Sequence, residues 1–201
     1  MSQTIDYYFS PTCVFAYLGS QELERIAQRH RAQVNVKPVY LPTVLERTGG
    51  LPVKQRSAER QAYRVIEMRR WRDQRGVRLV VEPPFIPLDD TPAAAIILAA
   101  NAVGKRPLRL AHAILRGLWA EGQSIADQPT LLEIAQRNGE DALGIVAKAR
   151  DPAIRDQLMA NTTEAVGIGM FDSPWYVHRG TPYHGQDRLG FLDGALDAED
   201  T

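Results

Sequence analysis

Three short stretches of this sequence can carry chemistry: a lone cysteine, a proline that opens a strand, and a Gln-Asp pair in a late turn. Cys13 is the chain's single cysteine. It follows Ser10-Pro11-Thr12, where a β-branched and aromatic run ends, and precedes a stretch with helical periodicity, so it falls at a helix start. A thiol there faces free backbone N–H groups and the positive end of the helix dipole. That field would draw its pKa from about 8.5 towards roughly 3.5 to 7.5 and make it nucleophilic at neutral pH. The same field would stabilise the thiolate of a bound thiol. The other role open to Cys13 is that of a small buried hydrophobe. A single cysteine forms no intramolecular disulfide and supplies no thiolate cluster for a metal.

Ser173-Pro174 leads a loop containing Gly167 and Gly169 directly into the strand-like Trp175-Tyr176-Val177-His178. Proline inside a sheet needs a reason. One is a cis peptide, costing only about 0.5–1 kcal/mol at an X-Pro bond, which would offer the backbone of Ser173 to an extended peptide ligand. The other is an ordinary trans proline at an edge-strand start. Further on, Gly185-Gln186-Asp187 opens a terminal helix. Asp187 suits its N-cap or first turn. If that helix end also lines a cleft, Gln186 and Asp187 can bind the ammonium and carboxylate groups of an amino-acid-like ligand end.

Other patterns argue against competing chemistries. His30, His112, His178 and His184 show no metal-ligand spacing, so no metal site is expected. Gly49-Gly50 runs into Leu51-Pro52 rather than Lys-Ser/Thr and makes no phosphate loop. Arg69-Arg70-Trp71-Arg72, interleaved with Glu67 and Asp73, suits a solvated helix face. Lys plus Arg and Asp plus Glu number 24 each, leaving no excess positive charge for a nucleic-acid backbone. No run of about 18 apolar residues exists to span a membrane, and the N-terminal segment has no basic start or apolar stretch of a secretory signal. A soluble cytoplasmic protein is expected.

These residues are positioned by a pattern that changes texture twice. Residues 4–9 read as a strand and 14–30 as an amphipathic helix. Residues 34–41 read as a second strand, parallel to the first because a helix crosses between them. From Pro42 to about Gly167 the chain reads as helices: 55–75, 92–103, 108–121, 128–137, 142–149 and 154–166. Asp90-Thr91-Pro92 and Asp151-Pro152 both look like a cap followed by proline in the first turn. After residue 167 the texture returns to strand, turn and closing helix (187–196), with the acidic 197–200 as a frayed tail. At 201 residues, β-α-β, many helices, then β-β-α describes one α/β domain (1–41 and 168–201) split by an all-helical insertion (42–167).

Taken together, Asp6 to Gly19, Lys37-Pro38-Val39, Thr48-Gly49-Gly50-Leu51-Pro52, Phe171-Asp172-Ser173-Pro174 and Gly185-Gln186-Asp187-Arg188-Leu189 resemble the 2-hydroxychromene-2-carboxylate isomerases and kappa-class glutathione transferases. Those proteins are related to the DsbA-like thioredoxin fold. The resemblance implies a thioredoxin-like domain, glutathione as cofactor, a small aromatic substrate from aromatic catabolism, and a homodimer. It makes Pro174 the cis-proline, Ser173 the residue whose backbone holds the cysteinyl part of glutathione, and Gln186 and Asp187 the binders of its γ-glutamyl end. Cys13 stands where the family usually has a serine touching the glutathione sulfur, and Val14 replaces the proline that commonly follows. Gly50 stands where an asparagine often contacts glutathione, which shifts that contact to backbone or to the neighbourhood of Leu51. Against DsbA relatives, Cys13-Val14-Phe15-Ala16 keeps only the first thiol of C-x-x-C. Three functions follow: a glutathione-dependent isomerase, a transferase or monothiol exchange enzyme using Cys13, or a non-catalytic binding module.

Overall fold

The computed structural model describes residues 3–104 and 106–198. Strand β1 (Thr4–Phe9) runs into helix α1 (Val14–Arg29), which returns the chain to β2 (Gln33–Pro38). Helices α2 (Leu41–Thr48), α3 (Ala58–Arg75), α4 (Thr91–Ala102), α5 (Pro107–Trp119), α6 (Gln128–Arg137), α7 (Ala142–Ala149) and α8 (Pro152–Gly167) follow. The chain ends with β3 (Trp175–His178), β4 (Thr181–His184) and α9 (Leu189–Asp197). The four strands lie in the order β2-β1-β3-β4, with β1 and β2 parallel and the other pairings antiparallel. This is a thioredoxin-like mixed sheet carrying a large helical insertion.

Side chains of the central strand β1 alternate between its two faces, and the face of Ile5, Tyr7 and Phe9 is fully buried while Thr4 and Asp6 on the other are half-buried. Ile5, Tyr7 and Phe9 join the main core, which also takes in α1, α4, α5 and α9. Tyr8 points to a smaller cluster with Val39, Val44, Ala165, Met170 and Trp175. Helix α4 is the hub of the insertion, packing on β2, α5, α7 and α8. Its buried stretch Ala93, Ala94, Ile96, Ile97, Leu98, Ala99 and Ala100 is apolar on every side, as a central helix must be. The main core runs without a break from the sheet into these helices.

Several local expectations change. The second strand stops at Pro38, because α2 already starts at Leu41. Residues 53–55 form a separate short turn, and α3 begins only after Ser57, whose hydroxyl caps it by accepting from the Arg60 N–H. Helix α3 ends at Gly76, held at φ +62°, a left-handed conformation that glycine adopts without a Cβ penalty. Asp197 is no part of a frayed tail: it lies in α9 and pairs with Arg29 at 2.9 Å. Residues 199–200 of that expected tail lie outside the described residues.

Candidate active site

The end of β1 and the start of β3 are stitched together around Cys13. The Cys13 N–H donates to the Ser10 carbonyl (2.9 Å), closing a turn that sets Cys13 as the N-cap of α1. The Ser10 N–H donates to Ser173 Oγ (3.1 Å), and the Cys13 thiol donates to the Ser173 carbonyl (3.1 Å). The Ser173–Pro174 peptide is cis, and the Pro174 carbonyl accepts from Gly185 N–H (2.9 Å), tying in the end of β4. The Ser173 N–H donates to Asp172 Oδ1 (2.8 Å), so both backbone groups of Ser173 already have partners. Asp172 in turn holds Arg56 at 2.9 Å.

The electrostatics at Cys13 run opposite to the sequence expectation. Burial pushes the thiol's pKa up, while the hydrogen bonding around Ser173 only partly opposes it and Asp172 adds to the rise. The helix N-terminus is present, but removing the sulfur from water outweighs it. Cys13 is therefore a neutral S–H donor in this arrangement.

A cavity of about 1430 Å³ opens beside this thiol. It is walled by Cys13, Ser173 and Asp187 from the sheet end, by Phe15 and Trp71, and by residues of the 76–90 connection such as Val81 and Ile86. Arg64, on α3, also lines it. Its guanidinium lies over the Phe15 ring at 5.4 Å and donates to Met68 Sδ at 2.8 Å. Arg56 is neutralised by Asp172, but Arg64 has no ion-pair partner among the described residues. Its burial and the nearby Arg56 disfavour the charge, and Asp172 favours it. A cation held this way is suited to an anionic ligand group.

The other expected site residues fare unevenly. Asp187 reaches the cavity and pairs with Arg188 at 2.9 Å, but it lies in the short turn Gln186–Arg188 before α9 and caps nothing. Gln186 also touches the cavity, yet it is only 2% exposed and its side-chain carbonyl accepts from Arg75 at 3.3 Å. Gly50 and Leu51 are not part of the cavity wall; the adjacent Pro52 and Val53 are. Gly50 packs against Leu45, and the Leu51 carbonyl accepts from Arg56 Nε at 2.8 Å, which places the pair at the rim.

Asp90 departs furthest from its sequence pattern. It occupies the N-cap position of α4 but makes no cap hydrogen bond; Asp89 accepts the Thr91 N–H instead, at 3.0 Å. The Asp90 carboxyl turns into the cavity wall against Ser10 and Thr12. Asp151, with the same Asp-Pro signature, does cap its helix.

The histidines lie in separate settings. His112 bonds Ser20, and His178 Nδ1 lies 2.9 Å from the Thr4 carbonyl. His184 packs on Phe171 and Trp175 at the cavity edge, where burial lowers its pKa. His30 does approach two acids, Asp193 and Asp197, closely enough to share an ion. Arg29 already holds both acids, at 3.0 and 2.9 Å, so the cluster reads as an ion-pair network.

A model of the DSBA-like thioredoxin domain matches residues 4–197. The chain belongs to that family. Among curated proteins it is 26% identical to a 2-hydroxychromene-2-carboxylate isomerase of Sphingobium xenophagum, over 98% of this chain and 99% of that one. Among solved structures it resembles a 2-hydroxychromene-2-carboxylate isomerase with a TM-score of 0.80 at 20% identity, covering 97% of this chain and 95% of the other. It also resembles the cytosolic disulfide reductase DsbM of Pseudomonas aeruginosa, solved with GSH, with a TM-score of 0.69 at 20% identity over 96% and 99% of the two chains. At that identity the two solved structures speak for the fold. No helix among the described residues is long and apolar enough to cross a membrane.

Proposed function

We propose that this protein is a glutathione-dependent isomerase of conjugated aromatic acids, similar in activity to 2-hydroxychromene-2-carboxylate isomerase. The observation that carries this proposal is the Cys13 S–H bonded to the carbonyl before cis-Pro174, at the mouth of a large, mostly apolar cavity in whose wall Arg64 lies beside that thiol with no ion-pair partner among the described residues. A site for a drug-sized ligand measures about 300–1,000 Å³, so 1430 Å³ leaves room for a tripeptide thiol and an aromatic substrate together.

Glutathione would lie along Ser173, its cysteinyl backbone displacing the local hydrogen bonds of that residue, with its γ-glutamyl ammonium at Asp187. The Cys13 S–H would turn from the Ser173 carbonyl to the cofactor's sulfur and donate to its thiolate, the task that a hydroxyl performs equally well. Arg64 would hold the substrate's carboxylate and keep the reacting carbon near that sulfur. Addition of the thiolate turns a double bond into a rotatable single bond; elimination after rotation returns glutathione.

Thiol exchange by Cys13 fits less well. An attacking thiol needs thiolate character, and burial here disfavours it. The test is turnover of a chromene carboxylate or benzylidene pyruvate, followed by absorbance with and without reduced glutathione. Isomerisation that requires glutathione and survives Cys13→Ser is expected. Glutathione-independent disulfide exchange that vanishes in Cys13→Ser would overturn the proposal.

A further inference from the structure

Three oxygens beside Cys13 lie within hydrogen-bond distance of one another. Ser10 Oγ is 2.5 Å from Asp90 Oδ2 and 2.7 Å from Thr12 Oγ1, and Thr12 Oγ1 is 3.0 Å from Asp90 Oδ2. Each of the three contacts requires a hydrogen, since O···O separations of about 2.5–3.0 Å are those of O–H···O bonds. The two hydroxyls supply two. If Asp90 were ionised, the two hydroxyl hydrogens would have to serve three contacts, and one of the three would hold no hydrogen of its own and set lone pairs against each other. A neutral carboxylic acid supplies the third: Asp90 donates to Ser10, Ser10 to Thr12 and Thr12 back to Asp90. The Thr12 N–H steadies the ring from 3.2 Å to Ser10 Oγ and 3.4 Å to Asp90 Oδ2.

We infer that Asp90, Ser10 and Thr12 form a proton relay that serves the isomerisation, with Asp90 as the acid store and the Thr12 hydroxyl as its outlet into the cavity. Asp90 and Ser10 are buried, at 7% and 1% exposure, while Thr12 is partly open, and all three line the cavity that holds Cys13. Burial also favours the neutral acid, and outweighs the donation that Ser10 and Thr12 would give a carboxylate; Asp89, the charge next to it in the chain, disfavours ionisation further. A carboxylic acid kept neutral by its site is a known means of supplying a proton donor at neutral pH.

The step balances without any added reagent. The glutathione sulfur bonds to the electrophilic carbon, and the electron pair of the conjugated double bond moves to the substrate's carbonyl oxygen. Thr12 protonates that oxygen as Ser10 reprotonates Thr12 and Asp90 reprotonates Ser10. Asp90 is left as a carboxylate facing the Ser10 O–H and the Thr12 N–H. After rotation, the enol proton returns by the same chain, the carbonyl reforms and the carbon–sulfur bond breaks.

This inference rests on the proposed isomerase function, and its test separates the two. Infrared difference spectroscopy at neutral pH reads the carboxylic-acid C=O stretch, and steady-state kinetics read the relay. The expected results are an acid band in wild type that is lost in Asp90→Asn, and a fall of about 10²–10⁴-fold in kcat with glutathione binding retained. Wild-type kcat falls as pH rises through Asp90's ionisation, and Asp90→Asn lacks that limb. Thr12→Val, which removes only the outlet, keeps the acid band and loses kcat, and it serves where Asp90→Asn does not fold. No acid band in wild type, or undiminished kcat in either variant, overturns the relay. Wild type that binds glutathione yet turns over no conjugated aromatic acid overturns the isomerase function, and with it the catalytic use of the relay, whatever the band shows.

Discussion

Gly19→Ala tests how tightly α1 is packed against the segment that carries Gln186 and Asp187. A methyl group on Gly19 would sit 2.5 Å from Gln186 Cβ, 3.2 Å from Tyr176 Oη and 3.3 Å from Leu189 Cδ1. The first separation is closer than carbon atoms tolerate, and Gln186 Cβ cannot swing away without moving its backbone. Forcing an extra methyl into a packed interior costs about 1–3 kcal/mol. Replacing a helical glycine by alanine also returns roughly 0.5–1 kcal/mol of backbone entropy, so the strain must be measured against a control. Gly194 lies in α9, is exposed, and would place its Cβ in open space. Gly194→Ala should therefore show the entropic gain alone. The gap between the two variants isolates the strain at about 1–3 kcal/mol, or roughly 2–12 °C in melting temperature for a chain of this size. Thermal unfolding followed by circular dichroism measures it. Gly19→Ala should also bind glutathione more weakly, because the methyl pushes the 186–187 turn away from α1. A Gly19→Ala protein that melts with or above Gly194→Ala would refute the close approach of α1 to that turn.

Three further predictions follow from the site. Burial pushes the Cys13 thiol up, so alkylation of the folded protein by iodoacetamide should still be accelerating as pH passes the ordinary thiol value of about 8.5; a rate that has levelled off near pH 7 contradicts this. Arg64→Met removes the cavity cation nearest Cys13 and, with a charged hydrogen bond contributing about 1.5–3 kcal/mol, should lower kcat/KM for a carboxylate substrate by about 10–100-fold; equal kcat/KM in the two proteins refutes the anchoring role. Because Asp90 holds its proton longer in the folded state than in the unfolded chain, the folded state binds more protons as pH rises above about 3.9, and wild type should lose stability relative to Asp90→Asn across that rise. Urea unfolding at a series of pH values measures it, and parallel stability curves for the two proteins contradict it.

The sequence made the frame of the site legible and left most of its wall hidden. Strand, turn and helix signals around Cys13 are local, and so is the placement of Pro174 at the head of β3; both appear where the residue pattern puts them. The parallel pairing of β1 and β2 followed from the crossover helix. Asp-Thr-Pro at Asp90 and Asp-Pro at Asp151 look alike before a helix, and only tertiary contact with Ser10 and Thr12 turns Asp90 away from its cap. Arg64 and Trp71 sit in a helix so rich in charge that its pattern suggested a solvated face, which holds for exposed Arg69 and Arg70 but not for the side that meets Phe15. The 76–90 connection has no regular structure and no periodicity, so its part in the cavity carries no sequence signal. The direction of the Cys13 shift reversed because helix position can be read from a sequence, whereas desolvation depends on what packs over the sulfur.

The most direct test is a calorimetric titration of reduced glutathione into wild type and Cys13→Ser. Saturable binding to both, with the heat lost when Asp187 is replaced by alanine, is the predicted result. Binding to neither would remove the cofactor on which the proposed function depends and leave the kinship as one of fold alone.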